Sequence, residues 1–403
     1  MMSGQWIEKI RELGIREYGI NNENLSDKII RLKKDFCEID KPFTVVGALD
    51  NEDNEKMLLS IVRENPNRII NGIRILGEVF ETESLVIYLP EEETQLGNVL
   101  KDESQKQGID VEIFFGIVDV RIVRGGCISH FETLAHLSDI ASGNYNPTTR
   151  LSIKIKTSDE ISYSSPLDIN FGTSVKEIKE IKNENIKAIQ IGNKLFGADA
   201  LELEITDGVN TGCGVITIFY DDLCMINEAH NAVQERKNQS CGKCTFCREG
   251  LNQLQVRLNE IINGKGEMVG LDVMEEIGEA MRFSSLCSIG TTGADFALET
   301  LNQFQEEYQN HIKKRKCSSK YCKAFINIYI DPNKCIGCHA CVSECSENCI
   351  AGLPGYIHMV EDVDCTKCKI CIPVCKNGAI IQTESNVPKV PDKLTKVGRF
   401  KNY

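Results

Sequence analysis

The stretch that decides the fold of the C-terminal part is Cys335–Ile350, CIGCHACVSECSENCI, which recurs thirty residues later as Cys365–Ile380, CTKCKICIPVCKNGAI. Each copy has the spacing C-x2-C-x2-C-x3-C. The short spacers turn three successive thiolates toward one centre, where they can bind three corners of an iron–sulfur cube, while the fourth ligand comes from the other copy. Structural zinc is the alternative, but zinc sites seldom show such a doubled pattern. The repeat therefore predicts one [4Fe–4S] cluster on Cys335, Cys338, Cys341 and Cys375, and another on Cys345, Cys365, Cys368 and Cys371.

This repeat resembles the two-cluster bacterial ferredoxin module over about residues 331–383. In that family a proline usually follows the fourth cysteine, whereas Ser346 and Lys376 stand here, a departure that removes no ligand. Cys349 is an additional thiol at the position where the second copy has Ala379. We expect Cys349 to be a small buried residue and not a ligand.

A third group of cysteines lies upstream in CGKCTFCREG, residues 241–250. Its three thiolates again have the spacing C-x2-C-x2-C, and the next available cysteine is Cys287. The string resembles the cluster motif of the NADH-oxidising flavoprotein subunit of complex I and of the beta subunits of NAD-linked and electron-bifurcating hydrogenases. In that family the fourth cysteine follows at the distance seen for Cys287. A third [4Fe–4S] cluster is thus predicted on Cys241, Cys244, Cys247 and Cys287.

The likeness to these subunits extends over most of residues 40–385, strongly from residue 221 and weakly before it. Asp221–Met225 matches the end of the strand that precedes the family's helical domain. Cys317–Phe325, followed by Ile330–Pro332, resembles the bifurcating-hydrogenase beta subunits, which append a ferredoxin module at this point. The resemblance implies a subunit of a larger oxidoreductase.

Two cysteines, Cys317 and Cys322, belong to none of the three clusters. The resemblance implies a zinc ion here, because those hydrogenase subunits hold one with Cys and His. His311 lies close in sequence, and Cys224 could return from the preceding domain. Three sulfurs and one imidazole suit tetrahedral zinc. The alternative is that the two cysteines are reduced thiols without a metal.

The flavin-binding part of the family pattern is missing. The family has a glycine-rich loop, because only a backbone without side chains can approach a phosphate closely. Here Asn21–Ile30 is polar without glycine and precedes the strand-like Phe43–Asp50, whose acidic end is altered. Of a second acidic, glycine-rich motif, Gly125–Thr133 keeps only the glycine pair and Glu132-Thr133. We therefore expect FMN and NADH binding to be lost and residues 1–148 to serve as a docking surface; a diverged flavin site is the alternative.

Composition supports these interpretations. The chain has 403 residues, a hydrophobic fraction of 41% and a formal charge of −13, which excludes overall disorder and argues against a nucleic-acid partner. Fifteen of its 19 cysteines lie between Cys241 and Cys375, too many and too clustered for incidental thiols. Neither a signal peptide nor a long apolar run is present, so we expect a soluble, cytoplasmic protein without a membrane span. Cys37, Cys127 and Cys213 are left as buried or incidental thiols, and His130 and His136 as surface histidines.

Hydrophobic patterning predicts a multidomain protein of α/β and α+β class. Short buried strands alternate with helical patterns at first, a strand-rich region follows, and then residues repeat with helical spacing. The helical patterns are predicted over Glu55–Glu64, Ile69–Phe80 and, as one short helix, Ser174–Ile181. The predicted domains are a degenerate flavoprotein-like α/β domain (1–148), a β-grasp domain (149–224), a helical bundle with one cluster (225–316), and a ferredoxin-like domain with the zinc-type cysteine pair and an extended tail (317–403).

These predictions favour an iron–sulfur electron-transfer subunit with three [4Fe–4S] clusters and no catalytic residues of its own. The resemblance implies partners in a redox complex, which could be electron-bifurcating: a flavoprotein, a hydrogenase-like or dehydrogenase subunit, a thioredoxin-like [2Fe–2S] subunit, or soluble ferredoxin. Two alternatives stay open. One is a flavin-containing subunit that oxidises NAD(P)H at a diverged FMN site, and the other is a scaffold whose clusters only stabilise the fold.

Overall fold

The computed structural model describes residues 3–36, 43–118, 126–178, 181, 184–384 and 387–400. The chain forms two compact units, each built from more than one segment. The four-domain division expected from the sequence therefore stays a prediction. The first unit comprises Met1–Leu223, Ala229–Gln255 and Asp272–Gln303; the second comprises Cys224–Glu228, Val256–Leu271 and Phe304–Tyr403.

The N-terminal part of the first unit is an α/β layer in which apolar runs form strands and amphipathic runs form helices. The strand-like run Phe43–Asp50 contains a strand at Val45–Ala48. The elements are α1 (Ser3–Glu12), β1 (Arg16–Glu17), β2 (Glu23–Asn24), α2 (Leu25–Phe36), β3 (Val45–Ala48), α3 (Leu59–Glu64), α4 (Pro66–Phe80), β4 (Leu85–Leu89), α5 (Thr94–Lys106), β5 (Glu112–Phe115), β6 (Cys127–His130) and α6 (Phe131–Ser142).

Four of these strands form a parallel sheet in the order β5-β4-β3-β6. The chain moves from β3 outward to β5 and then returns to the other side of β3 with β6, so β3 and β6 flank a topological switch point. Helix α4 covers the sheet with α6, and a Cβ on Gly72 would lie 2.0 Å from the carbonyl oxygen of Leu134. Ligands in open α/β sheets bind at the carboxyl ends of strands at such a switch point.

Helix α3 is shorter than the pattern at Glu55–Glu64 predicted. It begins at Leu59 because Lys56 has a positive φ of 51°, which a helix does not accommodate. The side chain of Asp53 accepts a hydrogen bond from the N–H of Lys56 at 2.8 Å and stabilises this turn. The following helix, α4, begins at Pro66, where the missing N–H has no cost.

The second part of the first unit is a six-stranded sheet in which β14 pairs in parallel with β7 and the other pairs are antiparallel. The short helix predicted over Ser174–Ile181 is wrong in its described part, which contains only a 3-10 turn at Val175–Glu177. Ser174 and Glu177 form a capping box at that turn. The 3-10 helix is a single turn long. The six strands of the sheet are β7 (Thr148–Lys156), β8 (Ile161–Tyr163), β9 (Leu167–Asn170), β11 (Ile186–Ile191), β12 (Lys194–Phe196) and β14 (Val215–Tyr220). Strands β10 (Thr173–Ser174) and β13 (Glu204–Ile205) form a separate antiparallel pair.

Residues 225–313 are helical, as their apolar spacing predicted. The apolar residues that repeat with helical spacing from Phe296 to Tyr308 are divided between two helices. Phe304 lies between these helices and leaves the helical conformation, at φ −115° and ψ 35°. The helices are α7 (Met225–Gln239), α8 (Thr245–Ile262), α9 (Val269–Ser284), α10 (Ser288–Thr291), α11 (Asp295–Gln303) and α12 (Gln305–Lys313).

The C-terminal part of the second unit contains both copies of the cysteine repeat. Strands β15 and β18, which precede and follow the two copies, pair with each other antiparallel. The tail crosses the segment at residues 355–357, where the N–H of Ile357 donates to the carbonyl of Thr395 at 2.8 Å. The elements are β15 (Asn327–Ile330), α13 (Ala340–Ser343), β16 (Ile350–Ala351), β17 (Met359–Val360), α14 (Cys371–Val374) and β18 (Ile380–Thr383).

Among the described helices, none combines the length and the apolar character that crossing a membrane requires.

Candidate iron–sulfur and metal centres

The first cysteine set of the repeat lies together in the structure. Burial raises the pKa of the Cys341 thiol to about 11, and so do the neighbouring thiols of Cys335, Cys338 and Cys375. Because such an electrostatic effect requires proximity, Cys375 of the second copy lies beside three cysteines of the first. The four residues are those that the spacing predicted for one cluster.

The second set shows the reciprocal arrangement. Burial raises the pKa of Cys371, and the thiols of Cys368, Cys365 and Cys345 raise it further. These four cysteines also line one cavity. Each copy thus places its fourth cysteine with three cysteines of the other, which is the arrangement that suits two cubes.

The two copies also share an unusual backbone. Three positions in each copy have a positive φ, a conformation that turns successive N–H groups toward a concavity where anions such as cluster thiolates are stabilised. Gly337 is required at its position, since an added Cβ would lie 2.8 Å from the Cα of Gly355. The equivalent pairs are Gly337 (+72°) with Lys367 (+55°), His339 (+71°) with Lys369 (+67°), and Asn348 (+53°) with Gly378 (+57°).

Cys349 is buried, as expected, and lies beside the second set. Its sulfur is 3.5 Å from the sulfur of Cys345. Burial raises the pKa of Cys349 to about 12, together with hydrogen bonds to Cys345 and Cys365. At the equivalent place in the other copy, the N–H of Ala379 donates to the sulfur of Cys375 at 3.3 Å. Backbone N–H groups bond to the fourth cysteine in both copies, that of Cys349 to Cys345 and that of Ala379 to Cys375, and the first copy adds the contact with the Cys349 thiol.

Sequence reasoning missed one buried residue next to the first set. His358 is enclosed, its Nδ1 is 3.9 Å from the sulfur of Cys335, and its Nε2 is 3.0 Å from Nδ1 of His339. Burial lowers the pKa of His358, and His339 lowers it further. No sequence signal could have indicated this contact, because His358 lies between the two copies.

The upstream set in the first unit is also brought together. Burial raises the pKa of Cys247, and the thiols of Cys244 and Cys241 raise it further. Burial raises the pKa of Cys287, and the Cys247 thiol contributes to that rise. A Cβ on Gly290 would lie 3.0 Å from the Cβ of Cys247, so the loop that carries Cys287 packs against this residue.

Hydrogen bonds favour thiolates at this upstream set. The backbone N–H groups of Ile289 and Gly290 lower the pKa of Cys287 against the effect of burial. The Ser240 hydroxyl lies 3.4 Å from the sulfur of Cys247. Helix α8 begins at Thr245, directly after Cys244, and the N-terminus of a helix stabilises thiolates.

The residues predicted to hold zinc form the tightest metal-ligating group among the described residues of the second unit. The ligand atoms of Cys224, His311, Cys317 and Cys322 all lie within 4.8 Å of one another, and all four residues are buried. His311 donates from Nδ1 to the carbonyl of Glu307 at 2.8 Å, and its Nε2 lies 3.4 Å from the sulfur of Cys224. In metal-binding histidines, a hydrogen bond at the nitrogen that does not bind the metal orients the imidazole in the same way.

The protonation states of this group are strongly coupled. Hydrogen bonds from Cys224 and Cys322 hold the pKa of Cys317 far below its ordinary value, although burial opposes them. Burial lowers the pKa of His311, but hydrogen bonds to Cys224 and Cys317 outweigh it and raise the pKa to about 10. A thiolate, further thiols and an imidazole in one buried cluster are the donor set of tetrahedral zinc.

A cavity of about 380 Å³ lies at the switch point between β3 and β6, where the family's flavin would be expected. Its described lining includes Asp50, Lys28, Glu17 and the proposed ligand Cys287. Lys28 is the only lysine or arginine among the described lining residues, and its Nζ pairs with Glu17 at 2.9 Å. The glycine-free segment Asn21–Ile30 forms β2 and the first part of α2.

Glu17 is held by three residues of the segment Gly125–Thr133, of which Thr133 is one that the second flavoprotein motif keeps. It accepts hydrogen bonds from the hydroxyls of Ser129 and Thr133, each at 3.0 Å, and from the N–H of His130 at 2.7 Å. Glu132 accepts from the N–H of Arg150 at 2.8 Å, and burial raises its pKa to about 7. The described survivors of that motif therefore stabilise the fold; Gly125 lies outside the described residues.

Two histidines differ from what the sequence predicted. His130 and His136 are buried and not on the surface: His130 caps α6, and the ring of His136 stacks on Tyr18 at 5.1 Å. Contacts with Tyr18 and Tyr145 cover His136, and the Glu17 carboxylate accepts from the N–H of His130, none of which the helical pattern showed. Cys127 is buried, as expected, and Cys37 lies outside the described residues.

The fold and these centres define a class: iron–sulfur proteins related to subunits of NAD(P)-linked redox complexes. Residues 227–311 match the NADH-ubiquinone oxidoreductase-F iron-sulfur binding region, and residues 328–351 match the 4Fe-4S binding domain. The predicted resemblance to complex I and hydrogenase subunits is thereby confirmed.

Particular relatives agree with this class. The chain is 30% identical over 205 residues to the NADP-reducing hydrogenase subunit HndC of Solidesulfovibrio fructosivorans, covering 49% of this chain and 42% of that protein. It is 34% identical over 110 residues to an NADH-quinone oxidoreductase subunit of Streptomyces coelicolor, covering 27% and 24%. The matched region is thus less than half the length of either relative.

Solved structures show the same fold. A chain of an NAD+-reducing [NiFe]-hydrogenase in the air-oxidized state superposes with a TM-score of 0.62 at 15% identity, covering 77% of this chain and 63% of the other. The chain is therefore a mixed α/β multidomain protein with a ferredoxin-like 4Fe–4S domain.

Proposed function

We propose that this chain is an electron-transfer subunit that carries three [4Fe–4S] clusters within a larger oxidoreductase complex. The observation that carries the proposal is the reciprocal grouping of the eight repeat cysteines, with the separate group at Cys247 and Cys287 as the third site. Such clusters, when bound, exchange single electrons.

In this proposal the protein residues hold thiolates and exclude water. The ligands are the twelve cysteines assigned from the spacing, and positive-φ turns and backbone N–H groups stabilise their charge. Hydrogen bonds to cluster sulfurs and burial set reduction potentials. No residue needs to transfer a proton or form a covalent bond to substrate.

We further propose that Cys224, His311, Cys317 and Cys322 bind zinc. The support is the grouping of four ligand atoms within 4.8 Å in a buried place. Structural zinc sites are closed tetrahedral sites of this composition, so the ion would stabilise the second unit and take no part in electron transfer.

The proposed function includes neither an FMN nor an NADH site. Support comes from the missing glycine-rich loop, from the described acidic lining of the cavity, and from Lys28, whose charge is paired with Glu17. Residues 1–148 would then keep the family's shape as a docking surface for other subunits. The second candidate, a flavin-containing NAD(P)H-oxidising subunit, is favoured only by the position of the cavity beside Cys287.

The partners proposed are subunits of one redox complex: a flavoprotein, a hydrogenase-like or dehydrogenase subunit, a thioredoxin-like [2Fe–2S] subunit, or soluble ferredoxin. The relatives' names, which describe hydrogenase and quinone oxidoreductase subunits, support this class of partner. We place the protein in the cytoplasm, where thiols that bind clusters stay reduced.

One preparation tests the proposal. The protein purified without oxygen should contain about twelve iron atoms per chain from three cubes. Acid precipitation should release no flavin, and dithionite should reduce the clusters, giving their electron paramagnetic resonance signals. Stoichiometric FMN in the supernatant would select the NAD(P)H-oxidising alternative, and clusters that resist reduction would select a structural scaffold. Co-purification from native cells then identifies the partner subunits.

A further inference from the structure

The acidic turn after β3 meets a cysteine from a distant part of the chain. Asp50 and Glu52 follow β3, and Cys213 lies in the loop that leads into β14. One oxygen from each carboxylate and the Cys213 sulfur all lie within 4.8 Å of one another. The sequence pattern left Cys213 as an incidental thiol, whereas the fold places it among metal-ligating groups.

Glu52 is the observation that points to a ligand. Its relative exposure is 2%, and neither carboxylate oxygen accepts a hydrogen bond from a described residue. The Arg236 guanidinium donates to the main-chain carbonyl of Glu52 and not to its carboxylate. Ser288 is a nearby hydroxyl that does not reach hydrogen-bonding geometry. Burial raises the pKa of Glu52, and the charge of Arg236 offsets only part of that effect. A buried carboxylate without a hydrogen bond carries a cost in lost hydration, so a group that binds it stabilises the fold.

The surroundings add negative charge. One oxygen of Asp53 is also buried without a hydrogen bond from a described residue. Asp50 uses one oxygen to accept from the N–H of Ile20 at 2.7 Å. Burial raises the pKa of Cys213, and Asp53, Glu52 and Asp50 raise it further, because like charges oppose ionisation. A cation bound between these groups would offset their mutual repulsion and would take the place of the missing hydrogen-bond donors.

We propose that Asp50, Glu52 and Cys213 bind a divalent cation of the zinc type. Thiolate sulfur with carboxylate oxygen suits zinc, whereas magnesium and calcium select oxygen ligands alone. Three protein ligands leave one position for water. Asp50 lines the cavity at the switch point and also a second cavity, of about 400 Å³, that is bounded by Leu89 and Gly116. Solvent can therefore supply that water, and the ion can enter. Its three ligands are distinct from the cluster ligands and from the zinc ligands around His311.

The test measures the reactivity of the Cys213 thiol. Metals bound elsewhere in the protein therefore do not contribute to the result. The whole chain with its clusters is treated with iodoacetamide without oxygen, in EDTA or in buffered Zn2+, and the Cys213 peptide is quantified by mass spectrometry. Zinc at a hundred times its Kd should slow alkylation about a hundredfold. Equal rates with and without zinc overturn the proposal, and so does equal protection by Mg2+, because sulfur would not then be the ligand.

Variants test the carboxylate. Glu52→Gln keeps the size of the side chain and should weaken protection at least about tenfold, since it removes a charged ligand. Glu12→Gln, an exposed carboxylate in the same unit, is the matched control and should leave protection unchanged. An unchanged iron content of Glu52→Gln shows that the variant is folded. Protection in Glu52→Gln equal to wild type overturns the assignment of Glu52.

Discussion

The ferredoxin repeat and the cavity at the end of the N-terminal sheet differ in how their residues are distributed along the chain. In the repeat, three ligands of each set lie within seven residues, and the fourth follows from the copy thirty residues away. The groups that line the cavity include Glu17, Asp50 and Cys287, and Cys213 lies beside Asp50; only the fold brings these residues together. Chemistry encoded by local spacing survives in a recognisable form, whereas chemistry built by tertiary structure can be lost or replaced without a local trace.

The largest expected effect is on the iron content, and it distinguishes the cluster proposed at Cys287 from the two proposed in the ferredoxin repeat. Cys287→Ser should remove about a third of the iron, because its cluster has four ligands of its own and the ferredoxin pair has eight others. Cys371→Ser should leave the Cys287 cluster in place while the ferredoxin signals change. Iron analysis and electron paramagnetic resonance measure both. Cys127→Ser, a buried thiol outside all sets, should keep all the iron; complete iron loss in Cys287→Ser would contradict the separation.

The next effect concerns the zinc proposed in the second unit. His311→Ala should lower the zinc content by about one ion per chain, because three thiolates without the imidazole leave the tetrahedral set incomplete. Metal analysis by mass spectrometry measures the loss. His136→Ala, which removes another buried histidine, should retain this zinc. The same zinc content in wild type and His311→Ala would remove His311 from the site.

A third substitution tests whether Glu17, which lines the cavity, stabilises the folded state. Glu17→Gln should lower the free energy of unfolding by about 3–5 kcal/mol, because it leaves the buried Lys28 ammonium without its partner. Denaturation can be followed by fluorescence of Trp6, the single tryptophan, which is buried in the same core. Glu12→Gln should change the free energy by less than about 0.5 kcal/mol. A Glu17→Gln protein as stable as wild type would indicate that this pair does not stabilise the domain.

The smallest effect distinguishes the two copies of the repeat. Gly337→Ala should destabilise the second unit by about 2–3 kcal/mol, because a Cβ meets the Gly355 backbone and the φ is positive. Gly378→Ala has the same φ penalty but open space around it, so about 1 kcal/mol is expected. Urea denaturation followed by the visible absorbance of the clusters compares them. Equal losses in the two variants would contradict the role of the close approach.

The grouping of the repeat cysteines could be predicted from the sequence, because cysteine spacing on a loop restricts which sulfurs can share a centre. The grouping of Cys375 with Cys341 and of Cys345 with Cys371 required only the register of the two copies. Cys224 and His311 are 87 residues apart along the chain, so no local spacing indicates that they are neighbours. Only the family resemblance suggested that Cys224 could join the site.

The remaining features depend on burial and on contacts between distant segments. Helical periodicity cannot show that both faces of α6 are covered, so His130 and His136 were assigned to the surface. The contact of His358 with Cys335 and the meeting of Cys213 with Glu52 arise from loops whose course no local pattern specifies. The start of α3 depended on a single positive φ at Lys56.

The pairing of β15 with β18 brings the beginning and the end of the ferredoxin repeat side by side, with Asn327 opposite Thr383 and Ile330 opposite Ile380. A segment whose ends are adjacent can be inserted into a loop, or removed from one, with little disturbance of the host. The repeat therefore has the end-to-end geometry of a segment that can be inserted as one piece. Removal of the whole segment would therefore leave only a short gap between its two neighbouring ends.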